Sequence, residues 1–357
     1  MCAMPTYRID RSYEWNYRAG PQYRGPFPRV PETGLKDFLG IPVRSRIGIS
    51  AGILLNSRWI RVYARLGFDI LTYKTVRSSA RACYALPNWT YLSDGGPGIA
   101  AEDRVLRPRR GRPGDWSRVT SAVSFGMPSM SPAVWTRDVR RARASLPPGR
   151  VLVVSVVASV KPGDGEAKLV EDFAGLAEAA REAGAHVVEA NLSCPNVTTP
   201  EGCVYHHPAL ARRVLAEMKR RAGGIPLLAK AGYFPQERGL RAFLRAIEGA
   251  AEGVLLINGL SRRVTDRRGR AIFGPGREVC AVIGRGIAAC GLRNVEQAVR
   301  IIRTDGLSLK VLAVGGVLSP EDAAPYFDAG ALAVLMGGAP MYDPLLAVRM
   351  KRAHPEW

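Results

Sequence analysis

The chain has 357 residues and a formal net charge of +20, with 51 Lys and Arg against 31 Asp and Glu. The basic residues are scattered over every segment, with no basic tail and no aromatic-interleaved stripe, which argues against a nucleic-acid-binding protein. Six cysteines (Cys2, Cys83, Cys194, Cys203, Cys280 and Cys290) form no CxxC pair and no zinc or iron–sulfur spacing, so no metal is implied and reduced thiols in a cytoplasmic protein are expected.

In chain order, residues 1–40 are rich in Pro, Gly, Arg and aromatics, including Tyr13, Trp15, Tyr17, Tyr23 and Phe27. They carry no apolar stripe at helical spacing, so the segment reads as an arm packed over the rest and not as a membrane-seeking amphipathic helix. The start lacks the apolar core of a signal peptide, and no run approaches the roughly eighteen apolar residues of a membrane span. A soluble protein is the expectation.

Over residues 41–357, short β-rich runs alternate with helical stretches. The runs are Ile47–Ser50, Asp69–Lys74, Val151–Val157, His186–Leu192, Pro226–Lys230, Val254–Asn258, Val311–Val314 and Ala331–Met336. Apolar residues at three-to-four spacing predict helices over Leu169–Ala183, Pro208–Ala222, Gln236–Gly249, Leu292–Arg303 and Pro320–Ala329. Gly249, Gly306 and Gly330 stand near the ends of such stretches, where a left-handed cap is expected. Eight strands alternating with helices predict an α/β protein whose parallel sheet closes into a (β/α)8 TIM barrel. Residues from about 78 to 124 interrupt the pattern between the second and third strands. On a barrel such a loop lies on the catalytic face, as a lid or substrate wall, while its basic run at 107–112 reads as solvated.

The most informative stretch is Glu189-Ala190-Asn191-Leu192-Ser193-Cys194-Pro195-Asn196-Val197. It follows the apolar run 185–188, so Asn191 and Cys194 fall at the carboxyl end of the fourth strand, where parallel α/β folds place their chemistry. The nine residues closely resemble the signature of the dihydroorotate dehydrogenase family, FMN flavoproteins in which this cysteine is the proton acceptor. Removing hydrogen from a C–C bond next to a carbonyl needs a base for the α-proton and an acceptor for hydride. A thiol with a free pKa of about 8.5 serves as the base. No side chain accepts hydride, so a cofactor must, and the resemblance names FMN.

Gly315-Gly316 and Gly337-Gly338 end the seventh and eighth strand runs, where barrels build a phosphate site from backbone N–H groups. Lysine is scarce, only 8 of the 51 basic residues, yet Lys74 and Lys230 both end strands. The resemblance implies that Lys230 lies beside the flavin pyrimidine edge and that Lys74 borders both flavin and substrate in a catalytic role. It likewise implies flavin contacts from Ala51 and Gly52 in the turn after Ser50, and from Thr75, Ser155 and Gly284. Asn191, Asn196 and Asn258 are implied to hydrogen-bond the flavin or the substrate ring. His206 and His207 precede a helix and read as surface or capping residues.

The resemblance covers roughly residues 41–345 and has departures. The family loop that grips the orotate ring reads approximately Asn-x-x-Gly-x-x-Asn, whereas here it runs Val123-Ser124-Phe125-Gly126-Met127-Pro128-Ser129, without either carboxamide. Gly259 follows Asn258 where a hydroxyl residue is usual. A site built to hydrogen-bond its substrate discriminates by about two to five powers of ten, so such losses point to another substrate. A related amide, pyrimidine or specialised metabolite is therefore favoured over dihydroorotate, with Val123, Phe125, Gly126, Met127, Ser129 and Gly259 facing it.

The partners implied are a small cyclic carbonyl compound and a soluble electron acceptor or donor. The sequence leaves the direction open, including an ene-reductase supplied with electrons by nicotinamide or a partner protein. No GxGxxG fingerprint follows a strand, so no dinucleotide domain is expected. Family barrels often pair, which makes a homodimer an expectation. The alternative is a non-catalytic flavin-binding or basic scaffold touching RNA through residues 107–112.

Overall fold

The computed structural model describes residues 5–93, 99, 105–161, 163–193 and 203–357. Helix α1 (Tyr13–Ala19) lies within the arm, where periodicity gave no sign of it. Its signals are local: the Ser12 side chain accepts a hydrogen bond from the Trp15 amide, and Gly20 closes the far end at φ +79°. A hairpin of β1 (Lys36–Phe38) and β2 (Ile41–Val43) follows.

Next come β3 (Ile47–Ile49), α2 (Ser57–Arg65) and β4 (Ile70–Val76). An excursion then carries β5 (Trp89–Tyr91) and β6 (Thr120–Val123) before α3 (Pro132–Ala144) and β7 (Val151–Val156). Regular alternation resumes with α4 (Glu166–Glu182), β8 (Val187–Asn191), α5 (Pro208–Ala222), β9 (Leu227–Lys230), α6 (Glu237–Ile247) and β10 (Gly253–Leu256). A second excursion holds β11 (Leu260–Arg263) and β12 (Val279–Gly284), and α7 (Ala288–Thr304), β13 (Lys310–Val314), α8 (Pro320–Asp328), β14 (Ala333–Met336), α9 (Ala339–Tyr342) and α10 (Leu346–Ala353) complete the chain.

Strands β3, β4, β7, β8, β9, β10, β13 and β14 pair in parallel and in that order, and β14 returns to β3 to close the barrel. These are the eight predicted strands, and the five predicted helices coincide with α4 to α8 to within a few residues. Gly249, Gly306 and Gly330 all take positive φ just past their helices. The second sheet was not foreseen. Strands β11, β12, β6 and β5 pair antiparallel in that order, joining the two excursions across the barrel mouth.

The barrel interior is layered by polarity. Ile70, Val151, Val153, Val187, Leu228, Leu255, Leu312 and Leu335 fill its lower part, and Phe38 and Val43 of the hairpin pack against them to plug the N-terminal mouth. Beside that plug the fully buried Asp69 takes a hydrogen bond from Ser45 Oγ (2.6 Å) and pairs with Lys351 Nζ at 2.5 Å. The basic run proves partly anchored, since Arg107 donates to Thr265 and to the Asp266 carbonyl, while Arg109, Arg110 and Arg112 are exposed. No helix among the described residues is long and apolar enough to cross a membrane.

His186, just before β8, accepts a hydrogen bond from the Leu152 amide at Nδ1 (2.9 Å). Burial, reinforced by nearby Arg143, lowers its pKa from 6.5 to about 4. Between those values the unfolded chain binds more protons than the folded one, so stability rises with pH. The contribution is complete above about pH 6.5 and is lost as pH falls toward 4. Urea unfolding of His186→Asn, which keeps an acceptor but does not titrate, should show a shallower loss of stability over this window than the parent protein.

Candidate active site

A cavity lies at the C-terminal mouth of the barrel, walled by strand ends, roof and arm. Because side chains alternate along a strand, residues two apart share a face. Asn191 on β8, Lys230 on β9, Lys74 on β4 and Ser50 just after β3 line the cavity and form its floor. Lys230 is only 2% exposed and donates to Ser50 Oγ at 3.1 Å. Among the described residues no Asp or Glu lines the cavity, and Lys74 and Lys230 are its charged groups. The site is thus suited to an anion.

A chain of hydrogen bonds joins four strand ends. Ser155 Oγ lies 3.0 Å from Thr75 Oγ1, Asn191 Nδ2 donates to Thr75 Oγ1 (3.4 Å), and Asn258 Nδ2 donates to Asn191 Oδ1 (3.4 Å) and to the Ser193 carbonyl. Both ends of the Asn191 carboxamide are therefore engaged, which fixes its orientation at the floor. Ser155 serves this chain from behind the wall, without lining the cavity itself.

Between β10 and β3 in the ring, Gly315 and Gly316 after β13 and Gly337 and Gly338 after β14 line the cavity. Gly316 sits at φ +77°, and a Cβ there would meet Ala288 backbone atoms at 2.5 and 2.7 Å. At Gly337 a Cβ would meet nothing within 4 Å, so the backbone faces open space. Ala51, Gly52 and Gly284, for which the resemblance implied flavin contacts, also line the cavity.

The roof presents one face of its sheet. Ser121 and Val123 alternate along β6, with Val119 just before it, and the register places Ala281 opposite Val123 and Ile283 opposite Ser121, all lining the cavity. Arg277 staples the roof, donating to the Ala85, Pro87 and Ser124 carbonyls and to Ser124 Oγ, with Tyr84 and Phe273 rings flanking its guanidinium. Phe125 and Met127 of the expected substrate loop reach the cavity. Gly126, Ser129 and Gly259 do not line it. Gly126 turns toward the Tyr84 ring, and Ser129 Oγ accepts from the Arg77 amide (3.0 Å) and donates to the Met130 carbonyl, anchoring the loop. Cys194 and Asn196 lie outside the described residues. His206 and His207 are exposed, in keeping with a surface role.

Sequence reasoning missed the arm's contribution. Tyr7 and Tyr13 line the cavity, and the Tyr7 ring lies 6.0 to 6.2 Å from Trp59, Trp89 and Phe125. The arm is tied down by the Thr6 amide donating to Met341 O and by Thr6 Oγ1 against Tyr63 OH (2.5 Å). Burial raises the Tyr7 pKa well above 10, so its phenol stays neutral. Burial also pushes the Cys83 thiol up to about 11 and the Cys280 thiol to about 12, leaving both protonated near neutrality.

The family model for dihydroorotate dehydrogenase matches residues 123–354, which include Asn191 and Lys230 of the floor and both glycine corners. The chain belongs to the dihydroorotate dehydrogenase family. It is 32% identical over 364 aligned positions to dihydroorotate dehydrogenase of Dictyostelium discoideum, covering 97% of this chain and 96% of that one. It is 32% identical to dihydroorotate dehydrogenase A (fumarate) of Limosilactobacillus reuteri over 48% of this chain and 53% of the relative. The dihydroorotate dehydrogenase B (NAD(+)) catalytic subunit of Geobacillus kaustophilus is 29% identical over 50% and 54% of the two chains. The crystal structure of DHODH from Eimeria tenella in complex with ferulenol superposes with a TM-score of 0.74, 16% identity and coverage of 95% and 88%, which establishes the shared fold. Members of the dihydroorotate dehydrogenase family are flavin-dependent oxidoreductases acting on CH–CH groups, and this chain is one of them.

The Tyr7 hydroxyl has no hydrogen-bond partner among the described residues, whereas its ring is enclosed by aromatics. Tyr7→Phe should therefore change unfolding free energy by less than about 1 kcal/mol. Tyr7→Ala should cost about 3–5 kcal/mol, both read from urea denaturation.

Proposed function

We propose that the protein is an FMN-dependent oxidoreductase that interconverts a C–C single and double bond next to a carbonyl in a small cyclic compound. The observation that carries this reading is the convergence of Lys74, Asn191, Lys230 and Asn258 with two diglycine corners around one cavity, in a chain of this family.

The cavity fits FMN on its own chemistry. Gly316, which tolerates no Cβ, and Gly337, which leaves its backbone bare toward open space, suit a phosphate that needs close approach to amide groups. Two lysines on a wall that carries no Asp or Glu among the described residues suit an anionic ligand. Ala51 and Gly52 present small surfaces next to Ser50, leaving room for a flat ring over the floor. Lys74, Thr75, Asn191, Lys230 and Asn258 would supply donors and acceptors to its polar edge, held in place by the Ser155–Thr75–Asn191–Asn258 chain. FMN, when bound, supplies the hydride acceptor that no side chain provides.

The substrate lies between that floor and the roof in this reading. Val123, Phe125, Met127 and Trp89 enclose it and exclude water, while Asn191 and Asn258 orient its carbonyl and amide groups. Cys194, three residues beyond Asn191 in the family signature, takes or returns the proton at the carbon next to the carbonyl. The raised pKa values of Cys83 and Cys280 support assigning that role to no other described thiol near the roof. The wall at Val123, Phe125 and Met127 is apolar, which favours an amide, pyrimidine or specialised metabolite with fewer polar groups than dihydroorotate.

Purified protein is expected to be yellow. Mixing it anaerobically with dihydroorotate should bleach the flavin slowly, and rapid bleaching would establish dihydroorotate itself as the substrate. With the substrate that does bleach it, Cys194→Ser should slow flavin reduction by about 10²–10⁴-fold. An unchanged rate would remove the thiol from the mechanism. Gly316→Val should abolish retention of FMN on a desalting column, because its Cβ collides with Ala288 where the amide must stay accessible.

A further inference from the structure

Beneath the cavity floor lies a carboxylate that the reaction does not touch. Glu189 is 0% exposed, and neither of its oxygens accepts a hydrogen bond among the described residues. It stands two positions before Asn191 on β8, hence on the same inward face and one step deeper in the barrel. The register sets it beside Leu228 of β9, with Val187 next below on its own strand, both members of the apolar interior. Its ion-pair partner is Lys230, with Nζ 3.8 Å from Oε1.

A buried carboxylate without hydrogen bonds is among the least favourable groups to place in a core, and an apolar residue there would commonly be tolerated as well or better. Something other than stability accounts for it. Lys230 has three donor hydrogens, of which one goes to Ser50 Oγ and one side faces Glu189, leaving the remainder toward the cavity. The ammonium is thus held between a hydroxyl at its side and a negative charge below it.

We propose that Glu189 is a positioning residue, which acts through Lys230 by holding its ammonium at the cavity floor and offsetting the positive charge presented to the flavin. This rests on the FMN reading above. A flavin gains negative charge on reduction, and likewise when sulfite adds to its oxidised form. An unopposed cation at the floor favours both, so the carboxylate tempers the pull.

The test compares flavin-loaded wild type, Glu189→Gln, Glu189→Asp, Lys230→Gln and the double glutamine variant. Sulfite affinity, read from the loss of visible absorbance, and the flavin midpoint potential are measured for each. In Glu189→Gln, sulfite should bind about tenfold more tightly, the order expected for one charge acting through a protein interior, and the potential should become more positive. Glu189→Asp should stay close to wild type. The double variant should match Lys230→Gln, because the effect of Glu189 passes through the lysine. If Glu189→Gln fails to fold, the neutral double variant should fold and take up FMN, since removing both charges leaves neither unpaired. A double variant that is no more stable than that single variant overturns the inference. So does a flavin-bound Glu189→Gln with unchanged sulfite affinity and potential, or tightening that survives in the double variant. Wild-type protein that takes up no FMN is a separate outcome, which overturns the functional reading and this inference with it.

Discussion

Closing eight parallel strands into a ring forces their inward side chains into a shared column and brings every carboxyl end to one mouth. The rest of the molecule follows from that constraint. Water reaches the mouth but not the column below, so inward positions change character with depth. Ile70, Val151, Val187 and Leu228 fill the base, Glu189 forms a charged intermediate step, and Lys74, Asn191 and Lys230 meet the cavity. The polar top layer is affordable because its members hydrogen-bond one another, as in the chain from Ser155 through Thr75 and Asn191 to Asn258.

An open mouth would leave these groups to solvent. Two excursions from different sides of the ring meet over it as a single antiparallel sheet, and Arg277 binds that sheet to the 85–87 turn and to Ser124. The arm then fills the remaining gap with Tyr7 and Tyr13. The result is a polar, cationic floor facing an apolar, aromatic ceiling. Such a pair of surfaces suits a flat amphiphilic ring.

The barrel was readable in the sequence because each strand is a short apolar run followed by a helix with its own periodicity and a glycine stop, as at Val187–Asn191 and Pro208–Ala222. The floor was readable because scarce lysines and asparagines fall at strand ends. The roof was not. Its strands β5, β6, β11 and β12 are three to six residues long, and partners such as Val123 and Ala281 stand far apart along the chain. A local pattern cannot reveal such pairing, although the run Val279–Ile283 before Gly284 carried a strand-like composition. Ser129 and Gly126 show a second limit: the loop reaches the cavity at Phe125 and Met127, but Gly126 and Met127 both take positive φ and Ser129 is held by Arg77 and Arg81, so Gly126 and Ser129 do not line it. Arg277 gave no signal among so many arginines.

The pairing of β6 with β12 also constrains how the family could diversify at this site. Val123 and Ala281 face inward together only in this register, since a shift of one residue on either strand would turn that strand's ceiling side chains to the opposite face. New chemistry is thus more accessible by exchanging ceiling residues one at a time than by shifting the register. A lineage adapting to another ring would change composition here while conserving the pairing.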